Sequence, residues 1–220
     1  MVRNMFALQL GLAAAPLIGW GLRDLEGFAS NPARLAVVAV AIASCTLVAR
    51  QPTLGDPFAK GVQAPSPAQS ALLVLGVMSV PIVLGGLAYA DRRNLWVAND
   101  GGVGRSVGLL MYAVGEAVRL VALQALGPQY SAHVTVQRHH SLVRAGIYRL
   151  VRHPIYLAQM LAVPGMALAF RSLLAGPLLL VSVLFVGKRI KNEEALLERT
   201  FPGEFEEYRR GTWRLLPFVY

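Results

Sequence analysis

A single cysteine, Cys45, is all the thiol this sequence holds, which excludes a disulfide framework and a zinc cluster built on thiolates. It lies in an apolar run, where a free cysteine behaves as a small buried hydrophobe. Charge is scarce too: 15% of residues carry it, against about a quarter in an ordinary soluble domain. Apolar residues make up 55% of the 220 positions, so membrane is the class the composition points to. The charge that is present is mostly basic, with a formal net of +9. Alone, that excess would be only an electrostatic footprint for nucleic acid. Beside long apolar runs it reads as the charge that orients a membrane protein and attracts anionic headgroups. Membrane lipid is therefore an expected partner, and nucleic acid is not.

Six apolar segments stand out, at about 5–22, 33–49, 68–90, 106–127, 154–170 and 172–187. A helix needs about 20 residues to cross a hydrocarbon core of roughly 30 Å. The third and fourth segments meet that length, and the first two lie at its lower end. The last two are shorter, with only Arg171 and Ser172 between them, and read as a tight helical hairpin that need not cross the whole bilayer. The first run continues past Ala13-Ala14-Ala15 to Trp20, so it is expected to be a membrane helix rather than a cleaved signal. The expected fold is all-α: a polytopic helical membrane protein with about five to six spans. Residues 50–67, rich in proline and glycine, are expected to be a loop. So are residues 91–105, whose Gly101-Gly102-Val103-Gly104 follows no strand and so makes a poor dinucleotide loop.

The second half changes character. From Ser131 to His153 there is no acidic residue, but there are four arginines and all four histidines of the chain. From Lys188 to Arg214 charges are dense and mixed, with seven basic residues and six of the twelve acids. These blocks flank the hairpin, so both face one compartment, and the positive-inside rule makes it the cytoplasm. Counting back through six segments puts Arg3, Arg50 and Lys60 inside as well, which fits. It leaves Arg92, Arg93 and Arg105 outside, which does not. The expected organisation is a region of transmembrane helices over 1–128 and a C-terminal region over 129–220 that carries the chemistry.

Three constellations could supply that chemistry. Proline suits the first turn of a helix, so Pro154 is expected to start the fifth segment and to place Arg152 and His153 at its mouth. There the free amides and the positive dipole end suit an electron-rich ligand, although lipid phosphate would satisfy them equally. Arg189 and Glu193 are four apart and share a helix face, whereas Glu193 and Glu194 point about 100° apart and cannot serve one ligand equally. Glu116 and Arg119, three apart inside the fourth segment, are expected to pair in the protein interior. Four histidines between 133 and 153 lack a regular ligand spacing, so no metal site is expected.

Two stretches carry a resemblance: His140-Ser141-Leu142-Val143-Arg144-Ala145-Gly146-Ile147-Tyr148 with Arg152-His153-Pro154-Ile155-Tyr156, and Arg189, Glu193-Glu194, Leu197, Phe201, Gly203-Glu204-Phe205, Tyr208 and Leu216-Pro217-Phe218. Over roughly 130–220 the chain resembles the isoprenylcysteine carboxyl methyltransferases, which are related to the phospholipid methyltransferases. The resemblance implies a helical membrane enzyme that uses S-adenosyl-L-methionine in a cytoplasm-facing pocket. By motif position, it implies that His140, Ser141, Leu142, Val143, Tyr148, His153, Pro154, Ile155, Tyr156 and Glu193 contact the cofactor. Arg189 would face a lipophilic or prenylated acceptor.

Methyl transfer from a sulfonium is an in-line displacement in which the protein mainly positions two reactants. A carboxylate acceptor needs no base and would be oriented by Arg189. A phenol or thiol acceptor would call on a base, for which His153 is the candidate. Two other readings compete: a membrane reductase of the sterol-reductase type using a nicotinamide cofactor, and a transporter using Glu116 and Arg119 as pathway charges.

Overall fold

The structure, a computed structural model, describes residues 11, 13–51, 54, 67–99, 102–131 and 141–218. Among these the chain is helical, with two isolated bridges and no strand. Helical residues 13–20 (α1) are followed by α2 (Leu25–Ala29), α3 (Pro32–Ala49), α4 (Pro67–Arg93), α5 (Val103–Leu126), α6 (Pro154–Ala169), α7 (Ala175–Thr200) and α8 (Glu204–Arg210).

Helix starts follow local chemistry. Asn31 caps α3 by accepting from the Ala33 amide at 3.0 Å, with Pro32 at the first helical position. Pro154 likewise opens α6. The expected 91–105 loop is shorter than the composition implied. Asp91, Arg92 and Arg93 form the last turn of α4, and Val103 and Gly104 already belong to α5. Two short helices, α2 and α8, carry too few turns to leave a periodic signal, and α8 has acids in its first turn and arginines in its last, as the helix dipole favours.

Two described helices, Pro32–Ala49 and Val103–Gln129, are long and apolar enough to cross a membrane, and Pro154–Ala169 is a shorter apolar helix. The centre of the bundle is the α5–α6 seam. A Cβ on Gly108 would lie 2.6 Å from the Gly165 carbonyl oxygen, and one on Gly115 would lie 2.8 Å from that of Ala158. The two backbones therefore touch through small residues, the packing that replaces hydrophobic drive between helices in lipid. Around the seam, Phe28, Val37, Leu87, Tyr112, Met166 and Phe170 form the main apolar core.

The two ends of the bundle differ. At one end the connections around 21–31, 91–99 and 170–174 meet. The Ala98 amide donates to the Arg171 carbonyl at 2.8 Å and the Leu173 amide to the Trp96 carbonyl at 2.8 Å. Asp91, with no side-chain exposure, receives Arg34, Arg105 and Arg171 there, each at 2.8 Å. At the other end lie the residues singled out for chemistry.

Candidate functional site

The site is assembled from three pieces of chain that meet beyond the α6–α7 hairpin. The first is the turn into α6. Gly146, at φ +59°, starts a 3-10 turn over Gly146–Arg149, a conformation that side chains with a Cβ resist. The second is the polar extension of α7, which runs unbroken from the apolar segment to Thr200. The third is the C-terminal segment, which pairs with the first: Arg152 donates its amide to Trp213 at 2.8 Å, His153 to Arg214 at 3.2 Å, and Trp213 to Leu150 at 2.9 Å. Leu215 packs with Val186 and Ile190 beneath this contact. Tyr208 fastens it further by donating its hydroxyl to the Tyr148 carbonyl at 2.7 Å. Burial pushes that hydroxyl up to about 12, so it stays a donor.

The adjacent glutamates of α7 meet different partners. Glu194 is buried and takes the Arg214 Nε on both carboxylate oxygens at 3.0 Å. It also takes His153 Nε2 at 3.2 Å, and Arg152 Nε lies 3.4 Å away. Burial works against its charge, but the hydrogen bonds from His153 and Arg214 outweigh that and hold its carboxyl at about 2. Facing an ionised carboxylate, His153 Nε2 must carry a proton. Its Nδ1 lies 4.0 Å from a Glu193 oxygen, and the ring is 2% exposed.

Glu193 is 34% exposed. The Tyr156 hydroxyl donates to its Oε2 at 2.7 Å and accepts from Arg189 Nε at 3.2 Å. The Arg189 guanidinium also lies over the Tyr156 and Phe185 rings, 5.7 and 5.8 Å from their centroids. One phenol thus ties an anionic group to a cationic one. Deeper in the bundle, Arg119 Nη2 pairs with Glu116 at 2.7 Å, and the same nitrogen donates to Ser44 Oγ of α3 at 2.8 Å. The expected interior pair is present, extended by a serine from another helix.

The structure brings His153, Pro154, Tyr156, Arg189 and Glu193 together at the α6–α7 mouth. Tyr148 is buried beside them; burial, with the Glu193 carboxylate, raises its hydroxyl well above the usual range. Ser141 sits at the end of α5: its amide donates to Gln129 Oε1 at 3.0 Å and its hydroxyl accepts from Gln129 Nε2 at 2.6 Å. Leu142, Val143 and Ile155 are half-buried. His140 lies outside the described residues, as do His133 and His139.

Arg214, which helps hold the site together, was not distinguished in the sequence, and Arg152 and Tyr208 were named there without the partners they hold. Their partners lie 20 to 60 residues away, and no local pattern marks them.

The donor set suits a ligand with both cationic and hydroxyl groups. An exposed carboxylate oriented by a phenol would accept from a diol or an ammonium group, and Arg189 with the start of α6 would take a carboxylate.

The profile of the isoprenylcysteine carboxyl methyltransferase (ICMT) family matches residues 108–199, from the α5–α6 seam to the end of α7. A probable protein-S-isoprenylcysteine O-methyltransferase from Oryza sativa subsp. indica is 34% identical over 136 residues, spanning 60% of this chain and 68% of the relative. Protein-S-isoprenylcysteine O-methyltransferase A from Arabidopsis thaliana is 29% identical over 169 residues, 68% of this chain and 78% of the relative. The Saccharomyces cerevisiae protein-S-isoprenylcysteine O-methyltransferase is 32% identical over 120 residues, 51% and 48% respectively.

Proposed function

The chain belongs to the isoprenylcysteine carboxyl methyltransferase family and is a membrane methyltransferase, and from that premise we propose that its methyl donor is S-adenosylmethionine and that the α6–α7 mouth holds it. The donor supplies a methyl group already activated on a sulfonium. Glu193 accepts hydrogen bonds from the donor's hydroxyl or amino groups. Tyr156 fixes the Glu193 carboxylate by donating to it at 2.7 Å. Ser141, Leu142, Val143, Tyr148, Pro154 and Ile155 complete the wall around it, and His140 is assigned a contact with the donor by its place in the motif alone. His153, buried between two carboxylates, orients that wall; its burial leaves it poorly placed to act as a base toward an acceptor.

Arg189 faces the acceptor. The relatives are named for prenylcysteine, and we propose the same class here: a lipophilic molecule ending in a carboxylate. A carboxylate is ionised at neutral pH, so attack needs no base, only alignment by a guanidinium. An apolar tail would reach the site between helices from the lipid. We place the site on the cytoplasmic face of a bundle of about five to six spans, because Arg149, Lys188, Lys191 and Arg199 are exposed at this end.

One observation carries the reading. The Tyr156 hydroxyl joins Glu193 to Arg189, so a donor-binding carboxylate and an acceptor-binding guanidinium share one phenol. The test is equilibrium binding of S-adenosylmethionine to the purified chain in detergent. Glu193→Gln removes a charge-assisted acceptor and weakens binding about 10- to 100-fold with the thermal midpoint retained. Unchanged affinity in a folded Glu193→Gln protein refutes the assignment. Mass spectrometry of a membrane extract supplied with labelled donor then identifies the acceptor class.

A further inference from the structure

The end of the bundle far from the methyl-transfer site holds a second concentration of charge that the reaction does not use. Asp91 offers two oxygens, and both are fully engaged. Oδ1 takes Arg105 at 2.8 Å and Arg171 at 2.8 Å; Oδ2 takes Arg34 at 2.8 Å and Arg105 at 3.0 Å. Among the described residues, three guanidiniums thus share one carboxylate, and two positive charges are left over. The next ion pair at this end, Arg92 with Asp24 at 3.2 Å, consumes its own acid. Among the described residues, the remaining contacts of the three guanidiniums are to neutral groups: the Gly27, Asp91 and Ala169 carbonyls, the side chains of Asn94 and Asn99, and the Trp20 ring. Neutral acceptors satisfy hydrogen bonds without cancelling charge. Arg34 and Arg105 are also buried, where an uncompensated charge is costly.

The same three arginines line a cavity of about 500 Å³, together with Asn31, Asn99 and Gly102. That volume lies within the usual range for small-ligand sites, roughly 300–1,000 Å³. Gly102 is also the cap of α5, a helix of 24 residues, so its positive dipole end opens on the cavity. Converging guanidinium forks, an excess of two charges and a helix N-terminus are the features that recognise a phosphate group.

We propose that this cavity binds a phosphate-bearing anion, supplied by a lipid headgroup or by free phosphate, on the face opposite the methyl-transfer site. The inference rests on the Asp91 cluster and not on the assignment of donor or acceptor. The ligand completes the charge balance and holds together the connections around 21–31, 91–99 and 170–174.

The experiment uses the full chain in neutral detergent, in phosphate-free buffer with ionic strength fixed by chloride. The thermal midpoint is followed against added inorganic phosphate, and against mixed micelles carrying phosphatidylglycerol or phosphatidylcholine. A saturable rise with inorganic phosphate supports the site and identifies the phosphate group alone as sufficient. A rise with phosphatidylglycerol and none with inorganic phosphate supports it and identifies the headgroup as the source. No rise with either, or an equal rise with extra chloride, overturns it. Arg171→Gln is expected to weaken the response about tenfold in ligand concentration, and Asn99→Ala, at the cavity wall, gives a second reading should Arg171→Gln fail to fold. Asp91→Asn separates binding from a purely structural lock. It raises the excess charge, so it loses stability without phosphate yet responds at lower phosphate concentration. A lock alone predicts lost stability with no change in the phosphate response.

Discussion

Glutamine in place of Glu194 tests the architecture of the site most sharply, because the two residues differ by little more than a charge. In the native chain the carboxylate meets Arg214 on both oxygens, His153 on one, and Arg152 nearby. Removing one partner of a buried ion pair leaves the others uncompensated and costs about 3–5 kcal/mol. An independent route gives a similar size: the carboxyl sits at about 2 against an ordinary 4.5, a gap worth about 3 kcal/mol. For a chain of this length each kcal/mol moves the thermal midpoint by about 2–4 °C, so a loss of about 6–12 °C is expected. The sign of the pH dependence follows from linkage. The folded value lies below the unfolded one, so the stabilisation is complete above pH 4.5 and is lost as pH falls toward 2. Tryptophan fluorescence melts of both proteins between pH 7 and pH 2.5 provide the assay. The wild-type midpoint should approach that of Glu194→Gln as the solution is acidified. A variant that melts with wild type at pH 7, or a gap that persists undiminished to pH 2.5, refutes the reasoning.

Tyr156→Phe removes the hydroxyl that links Glu193 to Arg189; the Michaelis constant for the methyl donor should rise about tenfold while the midpoint stays within a few degrees. Gly165→Val places a side chain where even a Cβ lies 2.7 Å from the Tyr112 amide nitrogen, so α5 and α6 must separate; loss of folded protein on size-exclusion chromatography is expected. Gly146→Ala meets only an ordinary contact, 3.4 Å from Ala125 Cβ, so its cost is the positive φ alone, about 1–2 kcal/mol, read as a small drop in midpoint.

How much of the fold the sequence disclosed depended on the range of the interactions involved. Pro154 opens α6 because proline's fixed φ and missing amide suit a first helical turn, which is a property of that residue alone. The Glu116–Arg119 pair needed only the helical repeat. Arg105 looked misplaced in the charge count because its partner was unknown: it bonds Asp91 from the far side of a connection, and Arg34 and Arg171 reach the same carboxylate from 57 and 80 residues away. Hydropathy finds the helices and is blind to a carboxylate shared among three of their ends.

The site shows the same division within two adjacent residues. The helical repeat predicts that Glu193 and Glu194 face different ways, and they do. It cannot say which of them is spent on structure. That is decided by Arg214, which reaches Glu194 only because the backbone of 213–214 lies beside 150–153 in a contact too short to show strand periodicity. With Arg214 and His153 both committed to Glu194, its oxygens are occupied inside the protein. Glu193 takes one phenol, lies 4.0 Å from His153 Nδ1 and is 34% exposed, and on the proposed reading it is the carboxylate that meets the donor. The two substitutions should therefore fail in opposite ways: Glu194→Gln in stability with donor affinity largely kept in the folded fraction, Glu193→Gln in donor affinity with stability kept.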